Sequence, residues 1–121
     1  MAKLARKRQE ASGRKADRYA EIGRKFEGEV ADLLQKLQDE KAIARFVAHP
    51  PNSKEDQEGR DFTVTALVSG KEAERSFGVT ISLKRWTQSK ILHPDIPQFC
   101  FPMGTKPETI RARILELFKT R

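Results

Sequence analysis

The sequence has one cysteine, Cys100, so no disulfide can form within the chain, and a reducing compartment suits it. Its two histidines, His49 and His93, each precede a proline, and neither has another histidine or cysteine at ligand spacing, so we expect no zinc site. No apolar run approaches the roughly 18 residues of a membrane span. No apolar segment follows the basic N-terminus, as a secretory signal requires. We therefore expect a cytoplasmic protein without a membrane partner, with nucleoid-associated and nuclear locations left open.

Positive charge is abundant, and it is concentrated at the N-terminus. Residues 1–25 contain nine Lys or Arg and three acids, whereas the remaining residues contain fifteen basic and fourteen acidic groups. Such a segment either is a solvated tail or binds a polyanion, because each neutralised phosphate releases counterions. We favour nucleic acid over an anionic membrane surface, because the segment lacks the apolar face of an interfacial membrane helix. Between the nucleic acids, we expect DNA rather than RNA. The predicted arm spans residues 1–16, and its predicted contacts are Lys3, Arg6, Lys7, Arg8, Arg14 and Lys15.

Residues 17–41 have the pattern of one long amphipathic helix. Apolar side chains recur there at steps of three and four residues: Tyr19, Ile22, Phe26, Val30, Leu33, Leu34 and Leu37. Glu27 shares the face of Val30 and Leu34. An acid at that position either borders the core or points into a site, and spacing alone leaves both open.

Two alternating stretches predict a β-hairpin, DFTVTALV over residues 61–68 and ERSFGVTISLKRW over residues 74–86. In the second stretch Lys84 stands at the end of an apolar strand, where an ammonium needs either water or a partner. A turn about residues 71–72 would pair Phe62 with Ile81 and bring Asp61 opposite Ser82. Asp61, Ser82 and Lys84 would then meet at one end of the sheet.

The other segments complete the predicted order of elements. We expect a strand over 42–49, a polar loop over 50–60, an irregular segment after Trp86 and a last strand over 98–104. A final helix is expected to follow Thr105 as N-cap, because Glu108 three residues later makes a capping box. This order predicts a single α/β domain on a mixed sheet, spanning residues 17–121.

Three segments together resemble the PD-(D/E)xK nuclease superfamily. They are GRKFEGEVADLL at 23–34, GRDFTV at 59–64 and VTISLK at 79–84. The resemblance covers about two thirds of the chain, and the nearest shape is that of Holliday-junction resolvases and other small restriction-like enzymes. It implies a restriction-endonuclease-like core and a metal-dependent endonuclease that hydrolyses phosphodiester bonds.

The resemblance also implies roles for individual residues. Glu27 would match a first-helix glutamate that helps to hold the metal or its water, and Asp61 would match the metal-binding aspartate. The carbonyl of Leu83 would match a main-chain ligand, and Lys84 the lysine that orients the attacking water. The implied cofactor is Mg²⁺ or Mn²⁺. A homodimer is left open, because dimers are common among related nucleases.

The sequence departs from the family pattern at Ser82, where an acid is expected two residues before the lysine. The nearest acid downstream is Asp95, at a spacing that matches poorly, and a proline-bounded segment stands where the family has a full helix. Two hypotheses follow. One is an endonuclease with a weakened metal site. The other is an inactive module that binds nucleic acid or a protein, with Arg85 and Trp86 as contacts.

Overall fold

The computed structural model describes the backbone of residues 2–119 and the side chains of residues 21–119. Over these residues the chain is a mixed α/β fold. Its elements are α1 (Ala2–Asp39), β1 (Arg45–Ala48), α2 (Lys54–Gln57), β2 (Phe62–Val68), β3 (Lys71–Thr80), α3 (Leu83–Leu92), β4 (Gln98–Cys100) and α4 (Pro107–Glu116). None of the helices in the described range has the length and apolar character to cross a membrane.

The four strands form one mixed sheet in the order β1-β2-β3-β4. The first three strands are antiparallel neighbours, and β4 runs parallel to β3. Parallel neighbours need a crossover connection, and here that connection contains α3. The predicted irregular segment after Trp86 is therefore wrong over residues 87–92, which belong to α3, while residues 93–97 have no regular structure. No residue of α3 is fully buried. The helix therefore lacks the periodic apolar stripe from which a helix is predicted in a sequence.

The β2–β3 hairpin has a different register from the predicted one. Phe62 pairs with Phe77 rather than with Ile81, a shift of four residues along β3. The cause is the turn: Ser69 and Gly70 have φ of 53° and 82°, the positive values that a two-residue hairpin turn requires. An even shift keeps every side chain on its predicted face, but it removes Asp61 from its predicted place opposite Ser82.

The core lies between α1, α4 and one face of the sheet. Its buried side chains are Val30, Leu34, Leu37, Ile43, Phe62, Val64, Ala66, Phe77, Phe101, Ile110 and Ile114. The rings of Phe62 and Phe77 stack across the hairpin with centroids 5.6 Å apart. The predicted apolar face of β2 is thus confirmed, while Val79 is only partly buried. On the long helix, Val30, Leu34 and Leu37 are buried, whereas Ile22 is exposed and the side chain of Tyr19 lies outside the described ones.

Several element ends differ from the prediction. The helix α1 begins at Ala2, so most of the predicted arm has the backbone of the same helix. The loop over 50–60 contains α2, and β1 and β4 are shorter than expected. Thr105 is not the N-cap of α4, because its hydroxyl donates to the Pro102 carbonyl, and Lys106 takes that position before Pro107.

A close contact between backbones joins the loop before β2 to β3 and β4. The Gln98 side-chain amide donates to the Gly59 carbonyl at 2.9 Å, and the Gly78 N–H donates to the Pro97 carbonyl at 2.9 Å. A Cβ at Gly78 would collide with the Gln98 side-chain oxygen and would lie 2.6 Å from the Gly59 carbonyl oxygen. Only glycine at position 78 permits this approach.

We predict that Gly78→Ala lowers the free energy of unfolding by about 1–3 kcal/mol, the usual cost of forcing atoms into a packed site. Gly28→Ala is the control, because a Cβ at that position on α1 meets nothing within 4 Å. In a helix interior this control should raise stability by about 1 kcal/mol. Urea denaturation measures both, and equal stability of Gly78→Ala and the native chain would contradict the packing described.

Candidate functional site

Asp61 lies directly before β2 and is held by both neighbouring strands. Its N–H donates to the Phe77 carbonyl, and its own carbonyl accepts from the His49 N–H, each at 2.9 Å. Its side chain turns toward β3, where the carboxylate accepts a hydrogen bond from the Val79 N–H at 2.8 Å. The carboxylate is therefore fixed at this end of the sheet by the backbone rather than by a flexible partner.

Two other carboxylates lie near Asp61, Glu27 from α1 and Asp56 from α2. Burial raises the pKa of Asp61 to about 7; the Val79 N–H opposes this shift, and the charges of Glu27 and Asp56 add to it. The pKa of Glu27 is also raised, chiefly by burial and then by Asp56. Glu27 and Asp56 are close enough to Asp61 to disfavour its ionisation, and Asp56 also disfavours that of Glu27.

No cation among the described side chains neutralises these three acids. The ion pairs found between residues 21 and 119 involve other acids: Glu72 with Arg45, Glu58 with Arg60, Glu40 with Arg111 and Glu116 with Arg113. Like charges that are partly withdrawn from water repel one another unless protons or a cation are added. Protonation of Asp61, whose pKa is raised to about 7, relieves part of this repulsion.

Asp56 is the member of this group that the sequence did not reveal. It lies on the short helix α2, inside the segment predicted as a polar loop. The Ser53 hydroxyl caps this helix by accepting from the Asp56 N–H at 3.2 Å, and the Asp56 carboxylate accepts from the Asn52 N–H at 2.9 Å. A serine three residues before an aspartate is a capping pattern, and it was the available signal for a helical turn here.

Ser82 and Lys84 do not lie on a strand. β3 ends at Thr80, and Ser82 is the N-cap of α3, where its hydroxyl accepts from the Arg85 N–H at 3.3 Å. Lys84 is exposed on the first turn of that helix. The predicted strand end is wrong because a serine after an extended segment can start a helix as readily as a strand can continue. The Leu83 carbonyl lies in the same turn and accepts from the Thr87 hydroxyl at 3.0 Å.

A small cavity connects Glu27 with the start of α3. Its volume is about 80 Å³, and its polar lining includes Glu27, Ser82 and Arg85. Lys84 opens instead onto the adjoining groove, which it shares with Ser82 and Arg85. The structure therefore brings Glu27, Asp56 and Asp61 together and places Ser82 and Arg85 beside Glu27. Lys84 lines the adjoining groove and not the cavity of Glu27.

The remaining predicted contacts have different positions. The Trp86 indole N–H donates to the Gln98 carbonyl at 2.7 Å, and the Lys90 amine lies 3.4 Å from the ring centroid, so one face of the ring is covered.

Asp95 is exposed beyond the C-terminal end of α3, about 15 Å along the helix from Ser82, so it does not replace the acid that the family pattern has at Ser82. The side chains of the predicted arm residues lie outside the described ones: Lys3, Arg6, Lys7, Arg8, Arg14 and Lys15.

No protein-family model, curated protein or solved structure matches this chain. Between residues 21 and 119, no group of three or more His, Cys, Asp or Glu side chains is arranged to hold a metal ion. Function is therefore inferred from the chemistry of the carboxylates and of the basic residues around them.

We predict that metal-free protein loses stability as the pH rises from about 4 to about 7. Asp61 has a pKa of about 7 in the folded chain and an ordinary value of 3.8, so the folded state binds the proton more tightly in this range. The loss is on the order of a few kcal/mol. It should be smaller in Asp61→Asn, whose amide is neutral at every pH, and the part that remains comes from Glu27, whose pKa is also raised.

Urea unfolding in the presence of EDTA, repeated at several pH values, measures this dependence. Asp95→Asn is the matched control, because it removes an exposed carboxylate and should keep the native pH profile. The same slope in Asp61→Asn as in the native chain would show that Asp61 ionises freely and is not held in a buried site.

Proposed function

We propose that this protein binds nucleic acid and hydrolyses its phosphodiester bonds with a divalent metal ion, as a nuclease of the PD-(D/E)xK type. The observation that carries the proposal is the group of Glu27, Asp56 and Asp61. These carboxylates lie together, two of them have raised pKa values, and none forms an ion pair with a side chain in the described range. A cation is the simplest partner for such a group.

The order of elements supports a restriction-endonuclease-like core. A long helix comes first, three antiparallel strands follow, and a helix then leads to a strand parallel to the third. The resemblance implies a full helix after the lysine motif, whereas α3 begins at Leu83 and so includes Lys84. Glu27 lies on the first helix and Asp61 directly before the second strand, and the proposal gives them the metal-binding roles that the resemblance implies.

The donor chemistry fits a hard cation such as Mg²⁺ or Mn²⁺, which prefers carboxylate oxygens and keeps several water ligands. Asp61 and Glu27 would hold it, and Asp56 would supply the negative charge that is lost at Ser82. The three side chains do not form a complete ligand cage. When bound, such an ion activates water and neutralises charge on the phosphate.

The chain's own groups have separable tasks. The Val79 N–H holds the Asp61 carboxylate in one orientation. Arg85, which shares a cavity with Glu27, and Lys84 on the same helical turn would bind phosphate oxygens. The helix N-terminus adds favourable partial charge for an anion at this point. The Leu83 carbonyl has no role in this proposal, because it lies within α3 and accepts from Thr87.

A second candidate is an inactive module that uses the same face to bind nucleic acid or a protein. Two observations favour it. The Ser82 hydroxyl caps a helix, and Lys84 is exposed on that helix rather than fixed at a strand end. Under this candidate the acids remain as a relic, and only the basic residues act.

We predict that Mn²⁺ binds the native chain and that Asp61→Asn and Asp56→Asn each weaken this binding by about 10- to 100-fold, the usual effect of changing a metal-site residue or its support. Isothermal titration at pH 8, where Asp61 is largely ionised, measures it. Asp61→Asn should also abolish cleavage of supercoiled and branched DNA. Asp95→Asn, the same chemical change at an exposed loop position, should alter neither.

Two outcomes would decide against the nuclease. Cleavage that survives Asp61→Asn would mean that another protein or another mechanism is responsible. Salt-sensitive DNA binding without Mn²⁺ binding or cleavage would select the inactive module.

A further inference from the structure

A groove with an apolar floor adjoins the cavity of Glu27. It has two parts, which share Ile81 and Met103 and have volumes of about 270 Å³ and about 740 Å³. The first part lies between α1 and the loop that joins β4 to α4, and the second lies along the first turns of α3. We call the two parts together the Ile81 groove. Phe26 and Ile81 line both this groove and the cavity of Glu27, so a ligand in the groove would lie next to that cavity.

The apolar side chains of the Ile81 groove remain accessible to water after folding. Met103 is 79% exposed and Ile22 is 38% exposed, while Phe26 and Ile81 are only partly buried. Single apolar side chains at a surface are ordinary, but a concave set of them beside polar groups is typical of a ligand site. Each part of the groove is also near the roughly 300–1,000 Å³ of such sites.

Cations border this apolar floor on two sides. Lys25 lies on α1 in the first part of the groove, and Lys84 and Arg85 lie on α3 in the second part. All three are exposed, and none forms an ion pair with another side chain in the described range. The groove contains one acid, Glu29, four residues after Lys25 on the same helix. Positive charge is therefore in excess, and a complementary ligand has anionic groups on both sides of an apolar part.

One nucleotide within a DNA strand has this arrangement of groups. Its base has apolar faces, and along the strand a phosphate lies on each side of it. A base whose faces are free can pack against apolar and aromatic side chains. In a continuous duplex both faces are already stacked on neighbouring bases, so only an unpaired base can enter a groove. A fatty acid, by contrast, has one charged end and would leave the cations on the other side of the floor without a partner.

We propose that the Ile81 groove binds an unpaired base of DNA, with one flanking phosphate at Lys25 and the other at Lys84 and Arg85. The strand would then pass the cavity of Glu27. The proposal rests on the nucleic-acid part of the function given above and not on its metal-dependent part. It specifies the substrate class, which is DNA with an unpaired nucleotide, such as a bulge or a single-stranded end, rather than continuous duplex.

Three DNA probes separate the contribution of the base from that of the phosphates. The first is a short duplex with one bulged thymidine, the second is the same duplex with an abasic nucleotide at the bulge, and the third is the fully paired duplex. All proteins carry Asp61→Asn and are measured in EDTA, so cleavage and metal binding play no part. Fluorescence anisotropy gives the affinity for each probe.

Met103→Ala removes part of the apolar floor, and Leu92→Ala is the matched control. Leu92 is 72% exposed at the C-terminal end of α3, and it lines neither the Ile81 groove nor the cavity of Glu27. Because both side chains are exposed, both variants should fold as the native chain does, and circular dichroism verifies this.

With Met103 present, the thymidine bulge should bind about tenfold more tightly than the abasic bulge, within the range found for the stacking of a single base. Met103→Ala should reduce this ratio about threefold or more, because it removes apolar surface that the base covers. It should leave the affinities for the abasic and paired probes unchanged, since an interaction of this kind exists only when both partners are present. Leu92→Ala should change none of the three affinities.

Equal affinity for the thymidine and abasic bulges would overturn the proposal, and so would an equal loss on all three probes in Met103→Ala. Either result would leave nucleic-acid binding itself intact. If no probe bound at all, the nucleic-acid function would fail together with the proposal. Loss of Mn²⁺ binding would not affect the comparison.

An acidic amphipathic peptide is the alternative occupant, and a synthetic helix with leucine on one face and glutamate on the other is its probe. Binding of this peptide that Met103→Ala weakens, with no binding of any DNA probe, would assign the groove to a protein partner and overturn the proposal.

Discussion

The hydrogen bond from the Val79 N–H to the Asp61 carboxylate is the interaction on which the candidate site depends. It joins the residue before β2 to Val79 near the end of β3, with 2.8 Å between the nitrogen and the carboxylate oxygen. It stabilises the ionised form of Asp61, which burial disfavours. It exists because the Ser69–Gly70 turn sets the hairpin register and so brings Val79 beside Asp61. With the register first inferred from the sequence, Val79 would have paired with Val64 and Asp61 would have faced Ser82. The chemistry of the site is thus decided at a turn on the opposite end of the hairpin.

The sequence predicts faces better than it predicts positions along the chain. The alternating pattern correctly predicted that Phe62, Val64 and Ala66 lie on the core side of the sheet. In a strand every second side chain points to the same face, and apolar residues occupy the face that is buried. The alternation of side chains cannot distinguish hairpin registers that differ by an even number of residues. The register is instead set by the backbone conformation of the Ser69–Gly70 turn.

Helix α3 and Asp56 were missed for a related reason, since neither is marked by burial. α3 has no fully buried residue, and α2 has none either. Both helices depend instead on serine caps, Ser82 and Ser53, and on contacts made in the folded chain, such as the hydrogen bond from Trp86 to the Gln98 carbonyl. Local propensity decides little where such contacts dominate. The placement of Asp56 beside Asp61 is a product of the tertiary structure.

Ser82 has a different significance once its place is known. Under the proposed nuclease function, Ser82 stands where the family pattern has an acid, and another acid would have to supply that charge. The downstream candidate, Asp95, is separated from the site by the length of α3, whereas Asp56 approaches from the loop before β2. Charge near Asp61 is therefore retained through a residue that lies before Asp61 in the chain. Ser82 is meanwhile employed in starting α3, and a larger acid there would have to combine capping with any role at the site.

The continuity of α1 has a consequence for how this protein can change over time. Because one helix carries both Glu27 and the basic residues, any insertion between Arg18 and Lys25 rotates one group against the other. A single added residue would turn the N-terminal part by about 100°, whereas seven added residues would return it to within about 20° of its original direction. Insertions and deletions in this segment should therefore be tolerated in a periodic way. Substitutions of single residues, which preserve the helical phase, meet no such restriction.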